Sequence, residues 1–106
     1  MVHRVALYTR VSTSDQSCER QIAELTAYAN RAGFEIVATV KETASGTKNN
    51  RAERKKLMEL ARKGFINMIL VTELSRWGRS TPDLRTTIEE LASRQVAVRA
   101  LNGPVS

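Results

Sequence analysis

The sequence predicts an α/β fold built on a mainly parallel sheet, and two observations carry that prediction. Short runs rich in β-branched and aromatic residues alternate with longer runs whose apolar residues recur every three or four positions. The helical runs are about ten residues or longer, which is the length that a crossover between parallel strands requires. A chain of 106 residues is expected to form one domain with its own apolar core.

The first strand and helix are marked by their composition and by the residues at the helix ends. Residues 5–8 form a short β-prone run, so they are expected to be a strand. Residues 15–32 carry apolar side chains at helical spacing. Thr13 and Gln16 resemble a capping box at the start of that helix, and Gly33 is placed to stop it.

A strand, a loop, a helix and a buried strand are expected next. Residues 34–40 (FEIVATV) predict a second strand. Residues 41–50 are rich in loop formers and predict a mobile loop. A helix is expected from 51 or 52 to 63, with Gly64 ending it. The continuous apolar run 68–72 is typical of a strand covered on both faces.

The last predicted elements are a helix and a strand, and the fold then indicates where function lies. Thr81 followed by Pro82 is typical of a helix start, and residues 96–101 predict the final strand. In parallel sheets, functional groups gather in loops beyond the carboxyl ends of strands. Segments 9–16 and 73–80 fall at such positions, so they are the candidate functional loops.

Charge and cysteine content narrow the class of protein. The net charge is +6, and 12 of the 17 basic residues are arginine, which favours planar contacts with phosphate. Nucleic acid is the leading partner, ahead of anionic membrane or acidic protein, although charge alone fits a merely basic domain equally well. One cysteine, no secretion signal and no apolar run of membrane-spanning length predict a cytoplasmic protein.

Ser12 and Arg10 form the first candidate constellation, just past the first strand. If the extended geometry persists, the two side chains point to the same side. A guanidinium beside a hydroxyl can hold a phosphate and favour attack by the serine. On local sequence alone, however, a serine before a helix more often only caps it.

The second constellation is Arg76 and Arg79, which flank Trp77 in the segment LSRWGR. Two arginines three residues apart can grip one phosphate and stabilise the charge that develops in phosphoryl transfer. The alternative is a solvated turn with surface arginines. Trp77 is expected to pack against the domain rather than to stack on DNA. The single histidine, His3, precedes the first strand and is expected to be structural, so no metal site is predicted.

Three segments in order resemble the N-terminal catalytic domain of the serine site-specific recombinases of the resolvase/invertase family. The segment YTRVSTSDQ at 8–16 resembles the opening motif, and ASG at 44–46 followed by Arg51 resembles the mobile loop and its arginine. The segment LSRWGR at 74–79 resembles the second arginine motif. The resemblance covers nearly the whole chain. It implies a three-layer sandwich with a mainly parallel central sheet of about four to five strands and helices on both faces.

The resemblance also implies a reaction. Ser12 would attack a DNA phosphodiester, giving a 5′-phosphoserine link and a free 3′ hydroxyl. Arginines would bind the scissile phosphate and stabilise the transition state. No metal, ATP or other cofactor is implied, because the phosphoserine bond stores the energy for religation. The implied catalytic residues are Ser12, Arg10, Arg76, Arg79 and Arg51.

Two further residues are expected to support the site. Gln21 matches a helix glutamine near the active site of the family. Ser75 stands where many relatives carry aspartate, and a serine cannot supply that negative charge. The identity of the general acid and base is therefore left open by the sequence.

The implied assembly is a homodimer that pairs into a tetramer on DNA, with no membrane, in a bacterial cytoplasm on the nucleoid or a mobile element. Residues 1–106 would be the catalytic domain, a fragment that lacks the family's separate DNA-binding region. Two alternatives remain at this point. One is a non-catalytic module of the same fold that serves dimerisation or DNA tethering, and the other is an unrelated basic α/β domain that handles nucleotides or phosphoesters.

Overall fold

The strands and helices alternate along the chain as the sequence predicts. The structure is a computed structural model, and it describes residues 3–12, 18–44, 52–77 and 81–101. The elements in chain order are β1 (Arg4–Ser12), α1 (Cys18–Ala32), β2 (Glu35–Ala44), α2 (Ala52–Arg62), β3 (Met68–Val71), α3 (Leu74–Trp77), α4 (Thr81–Ser93) and β4 (Ala97–Ala100). The predicted α/β class is confirmed.

The four described strands form one parallel sheet in the order β2-β1-β3-β4. The chain steps from β1 to one side, then crosses back over β1 to reach β3 and continues to β4. Because crossovers between parallel strands are right-handed, this reversal places α1 on one face and the later helices on the other. The result is the predicted three-layer arrangement.

Each face of the sheet has its own apolar core, and the central strands contribute to both. The α1 side holds the cluster Val5, Leu7, Leu25, Ala29, Met68 and Leu70. The opposite side holds the larger cluster Ala6, Tyr8, Leu57, Met58, Ala61, Ile66, Ile69, Val71, Trp77, Leu91 and Val96. The predicted burial of the third strand on both faces is confirmed, because all four residues of β3 are buried.

The three long helices end in the same way. Residues 33, 64 and 95 have positive φ angles of 79°, 80° and 62°, which is the left-handed conformation that closes a helix. In each case the next residue donates its N–H to the carbonyl five positions earlier: Phe34 to Ala29, Phe65 to Leu60, and Val96 to Leu91. The predicted stops at Gly33 and Gly64 are confirmed, whereas the third site uses Gln95.

The expected loop at 41–50 is wrong over its first four residues. Strand β2 continues to Ala44 and β1 continues to Ser12, and the two remain paired through Ser12↔Ala44. Backbone pairing between the strands outweighs the polar composition of that stretch. The remaining loop residues, 45–50, lie outside the described residues.

The ends of β1 and β2 project beyond the rest of the sheet. The pairing of β1 with β3 runs from Val5↔Met68 to Leu7↔Leu70, whereas β1 stays paired with β2 five residues further, to Ser12. At 3.3 Å per residue this projection is about 16 Å long. Beyond the four-stranded part of the sheet, β1 and β2 therefore continue as a two-stranded ribbon that ends at Ser12 and Ala44.

The expected loop at 73–80 is also wrong in part, because Leu74–Trp77 form the short helix α3. Four residues are too few to show helical periodicity in a sequence. The predicted capping box at Thr13 and Gln16 lies outside the described residues. None of the helices described has the length and apolar character needed to cross a membrane.

Candidate active site

The topology marks one edge of the sheet as the place where a site can form. Strands β1 and β3 lie side by side, and the connections that leave their carboxyl ends go to opposite faces. Such a divergence opens a crevice, which is where ligands bind in parallel α/β sheets. The predicted loop 73–80 begins just beyond β3. The predicted loop 9–16 is wrong over residues 9–12, because these residues continue β1 in pairing with β2.

The first predicted constellation lies on the projecting end of β1. Arg10 is half-buried and is paired in register with Glu42 of β2. Ser12 is the last residue of β1, and only its backbone is described. Tyr8, two residues before Arg10, packs into the core on the side of α2, α3 and α4.

The second constellation begins in α3, directly after β3. Ser75 and Arg76 lie in this helix, and the structure describes their backbone alone. Arg79 and Arg51 lie outside the described residues. Gln21 lies in the first turn of α1, where its side chain is buried, on the layer opposite to α3. The structure thus describes the backbones of Arg10 and Ser12 at the carboxyl end of β1 and those of Ser75 and Arg76 just beyond β3. Gln21 lies in the helix on the other face of the sheet.

Tyr8 and Trp77 connect the two constellations. Their rings meet edge to face, with centroids 5.3 Å apart and planes at 78°. Both side chains are fully buried. Tyr8 lies two residues before Arg10, and Trp77 directly follows Arg76. This contact therefore fixes β1, which ends at Ser12, beside α3, which contains Arg76. The prediction that Trp77 packs against the domain is confirmed.

Glu42 ties the same strand to the start of α2. Its carboxylate is buried, with 5% of the residue exposed. It accepts hydrogen bonds from the Tyr8 hydroxyl at 3.0 Å and from the backbone N–H groups of Arg54 at 3.1 Å and Glu53 at 3.3 Å. These two N–H groups belong to the first turn of α2, where an acceptor with negative charge is favourable.

Arg54 continues this network from α2 to α3 and α4. Its guanidinium makes two hydrogen bonds to the Asp83 carboxylate, at 2.8 and 3.1 Å, and a third to the carbonyl of Trp77 at 2.8 Å. It also lies 5.5 Å from the centroid of the Trp77 ring. On the other side, the Trp77 indole N–H donates to Thr87 Oγ1 at 2.9 Å.

Sequence reasoning missed Glu42, Arg54 and Asp83. Glu42 falls in a polar stretch that predicts a loop, and Arg54 is one of several basic residues at the start of its helix. Their partners lie 29 and 34 residues away along the chain, so no local pattern could reveal them. A signal exists only for Asp83, which sits in the first turn of α4, where acidic residues are favoured.

Comparison of the sequence with known proteins identifies the family to which this chain belongs. Residues 5–105 match the family model described as the resolvase N-terminal domain. The Tn2501 transposon resolvase of Escherichia coli is 36% identical over 102 residues, covering 92% of this chain and 50% of the relative. A resolvase of Clostridium perfringens is 32% identical over 94 residues, covering 89% and 47%. The chain thus spans about half the length of these relatives.

A solved structure agrees with the sequence relatives. The C-terminal catalytic domain of ISC1926 TnpA, an IS607-like serine recombinase, superposes with a TM-score of 0.84 at 32% identity, covering 94% of this chain and 71% of that one. The chain therefore belongs to the resolvase family, whose N-terminal domain it matches over nearly its whole length.

Proposed function

We propose that this chain is the catalytic domain of a site-specific DNA recombinase in which Ser12 is the nucleophile. The observation that carries the proposal is the contact between Tyr8 and Trp77. It holds the strand that ends at Ser12 beside the helix that contains Arg76. The family membership supports the reaction class, since relatives carry the names resolvase and serine recombinase.

The proposed step is a transesterification at phosphorus. The Ser12 hydroxyl oxygen forms a bond to the phosphorus of a DNA phosphodiester, and the bond from phosphorus to the 3′ oxygen breaks. The serine loses its proton and the leaving 3′ oxygen gains one. The product is a 5′-phosphoserine link and a free 3′ hydroxyl. Reversal with another 3′ hydroxyl rejoins the DNA, so the bond count is unchanged and ATP is not required.

Arginine side chains supply the charge that this step needs. The transition state places additional negative charge on the oxygens around phosphorus, and fixed guanidinium groups stabilise it. Arg10 is half-buried on the serine strand, so its charge acts in surroundings of lower dielectric than open water. We assign Arg76, Arg79 and Arg51 to the same phosphate, with Gln21 and Ser75 in support.

The proposed partners are DNA and further copies of this chain. The net charge of +6 and the arginine content favour a polyanion. Synapsis of two DNA sites would involve dimers that pair into a tetramer. We place residues 1–106 as the catalytic domain, working in a bacterial cytoplasm together with a DNA-binding region that lies elsewhere in the protein.

Covalent trapping tests the proposal. The complete protein is incubated with a verified recombination site that carries a nick near the cleavage position, and the protein–DNA adduct is measured by denaturing electrophoresis. The wild type is expected to form the adduct, and Ser12→Ala is expected to form none. Ser93→Ala, which removes an exposed hydroxyl at the end of α4, is the matched control and is expected to behave as the wild type.

Ser75 supports one alternative function. The resemblance implies an aspartate at this position, and a serine there fits a non-catalytic module that dimerises or tethers DNA. That module predicts retention of DNA in a gel shift without any adduct from the wild type. This result would overturn the enzymatic assignment while leaving the fold and the family unchanged.

A further inference from the structure

We propose that Arg54 is a positioning residue that holds α3, and with it Arg76, in the orientation used for phosphate binding. The inference rests on the function proposed above. Arg54 belongs to α2 and makes no predicted contact with DNA. Its effect would pass through Trp77, the last residue of α3.

The geometry of Arg54 is that of a clamp on three elements. One nitrogen, Nη1, donates both to the Trp77 carbonyl and to Asp83 Oδ2, each at 2.8 Å, while Nη2 donates to Asp83 Oδ1 at 3.1 Å. The arginine side chain is 15% exposed and the aspartate side chain 29%. A planar fork with several fixed donors can satisfy these acceptors together, which a lysine cannot do.

Helix α3 depends on such outside contacts. It has four residues, so it contains too few internal hydrogen bonds to be stable alone, and its last carbonyls have no partner within the helix. Arg54 satisfies the carbonyl of Trp77 and also lies 5.5 Å from the centroid of its ring. The backbone and the side chain of one residue are thereby held by one guanidinium.

The Trp77 ring is held from two further sides. Tyr8 packs against it edge to face from β1, and Thr87 of α4 accepts the indole N–H at 2.9 Å. With Arg54 from α2, three different elements fix the residue next to Arg76. A small displacement of reacting groups lowers rates strongly, by about 100-fold for about 1 Å. Loss of the Arg54 clamp is therefore expected to slow catalysis more than it weakens binding.

Arg62 provides a matched comparison. It also lies in α2 and also bridges to α4, where Nη2 is 2.7 Å from Glu90 Oε2. Its side chain is 40% exposed, and its ion pairs join Glu59 of α2 and Glu90 of α4, not α3. Replacing Arg62 thus removes a tie between the same two helices while the contacts of Trp77 remain.

The experiment compares Arg54→Lys, Arg54→Met and Arg62→Met in the complete protein. The rate of adduct formation is measured at saturating nicked DNA, together with the DNA concentration that gives half the maximal rate. Emission and acrylamide quenching of Trp77 are measured in parallel, after subtraction of the spectrum of Trp77→Phe. Urea unfolding confirms that each variant is folded under the assay conditions.

Both Arg54 variants are expected to form adduct about 10- to 100-fold more slowly at saturating DNA, with half-saturation changed by no more than about twofold. Their Trp77 emission should shift to the red and be quenched more easily. Arg62→Met should match the wild type in all three readouts. The inference is overturned if folded Arg54→Lys keeps the wild-type rate, or if its rate falls while the Trp77 signal is unchanged.

Failure of the proposed function gives a different result. A wild type that forms no adduct overturns the recombinase assignment and, with it, the catalytic part of this inference. In that case, only the emission and quenching of Trp77 test whether Arg54 holds α3. A signal that moves in the Arg54 variants and not in Arg62→Met supports the clamp, and a signal that moves in neither overturns it.

Discussion

The hydroxyl of Tyr8 donates a hydrogen bond of 3.0 Å to Oε1 of Glu42, and both residues are buried. This bond joins the strand that ends at Ser12 to the strand beside it. The same carboxylate also accepts two N–H groups from the start of α2. One acidic side chain therefore connects the serine strand, its neighbour and a helix on one face of the sheet.

Tyr8→Phe is expected to lower the free energy of unfolding by about 1–2 kcal/mol, because a buried carboxylate oxygen loses one of its donors. Urea unfolding followed by circular dichroism measures the change. Tyr28→Phe is the control, since its hydroxyl only accepts an exposed hydrogen bond from Arg99, and it should change stability by less than about 0.5 kcal/mol. Equal effects in the two variants would contradict the prediction.

Gln95→Gly is expected to stabilise the domain by about 0.5–1 kcal/mol. Gln95 has a φ of 62°, a conformation that glycine adopts without the steric penalty of a side chain. Gly33→Ala is the reciprocal change at φ 79° and should destabilise by about 1 kcal/mol, although no atom would touch the added carbon. Thermal unfolding of both variants provides the measurement. A destabilised Gln95→Gly variant would mean that the Gln95 side chain outweighs its backbone strain.

Arg62 is expected to contribute stability that depends on salt and not on pH. Its hydrogen bond to Glu90, and next that to Glu59, raise the pKa of Arg62 above its ordinary value. A cation with a raised pKa stabilises the fold at every pH below its unfolded pKa, and that contribution disappears only above about pH 12. The difference in stability between wild type and Arg62→Met should therefore be constant from about pH 6 to 9.

The same difference should shrink as salt rises, because both partners are exposed and the screening length falls to about 3 Å in 1 M salt. Urea unfolding at low and high NaCl measures it. A difference that changes with pH over this range, or that survives high salt undiminished, would contradict the assignment to a solvent-screened ion pair.

Arg10→Ala is expected to slow adduct formation about 100- to 1000-fold, as the loss of one fixed charge in phosphoryl transfer does. Arg31→Ala removes an exposed arginine in the last turn of α1 and should leave the rate within about twofold. Single-turnover trapping on nicked DNA measures both rates. A wild-type rate in Arg10→Ala would remove this residue from the proposed site.

Much of the fold could be predicted because its signals are local. Helix stops at Gly33 and Gly64 depend on the conformation of one residue, and both are confirmed. The apolar run that predicts a strand buried on both faces is a property of consecutive residues, and β3 has that burial. Recognition of the family also depended on short motifs, which explains why it needed no knowledge of the three-dimensional arrangement.

The network around Trp77 could not be predicted, because it depends on which distant residues meet. Glu42 was expected in a mobile loop, yet it lies in β2 because that strand stays paired with β1 up to Ala44. Arg54 could have faced solvent like the lysines that follow it. The packing of α2 against α3 and α4 determines the partners of Arg54, and the spacing of residues in the sequence does not reveal that packing. The predicted catalytic roles of Ser12, Arg10, Arg76, Arg79 and Arg51 stay predictions.

The unequal lengths of the strands have a mechanical consequence. Among the described strands, β1 pairs with both neighbours from Val5 to Leu7 and with β2 from there to Ser12. Tyr8 anchors the base of this ribbon in the larger core, so only the residues beyond it can bend by twisting a single pair of strands. The tip of this ribbon can thus be displaced by a few ångströms at little expense to the stability of the domain.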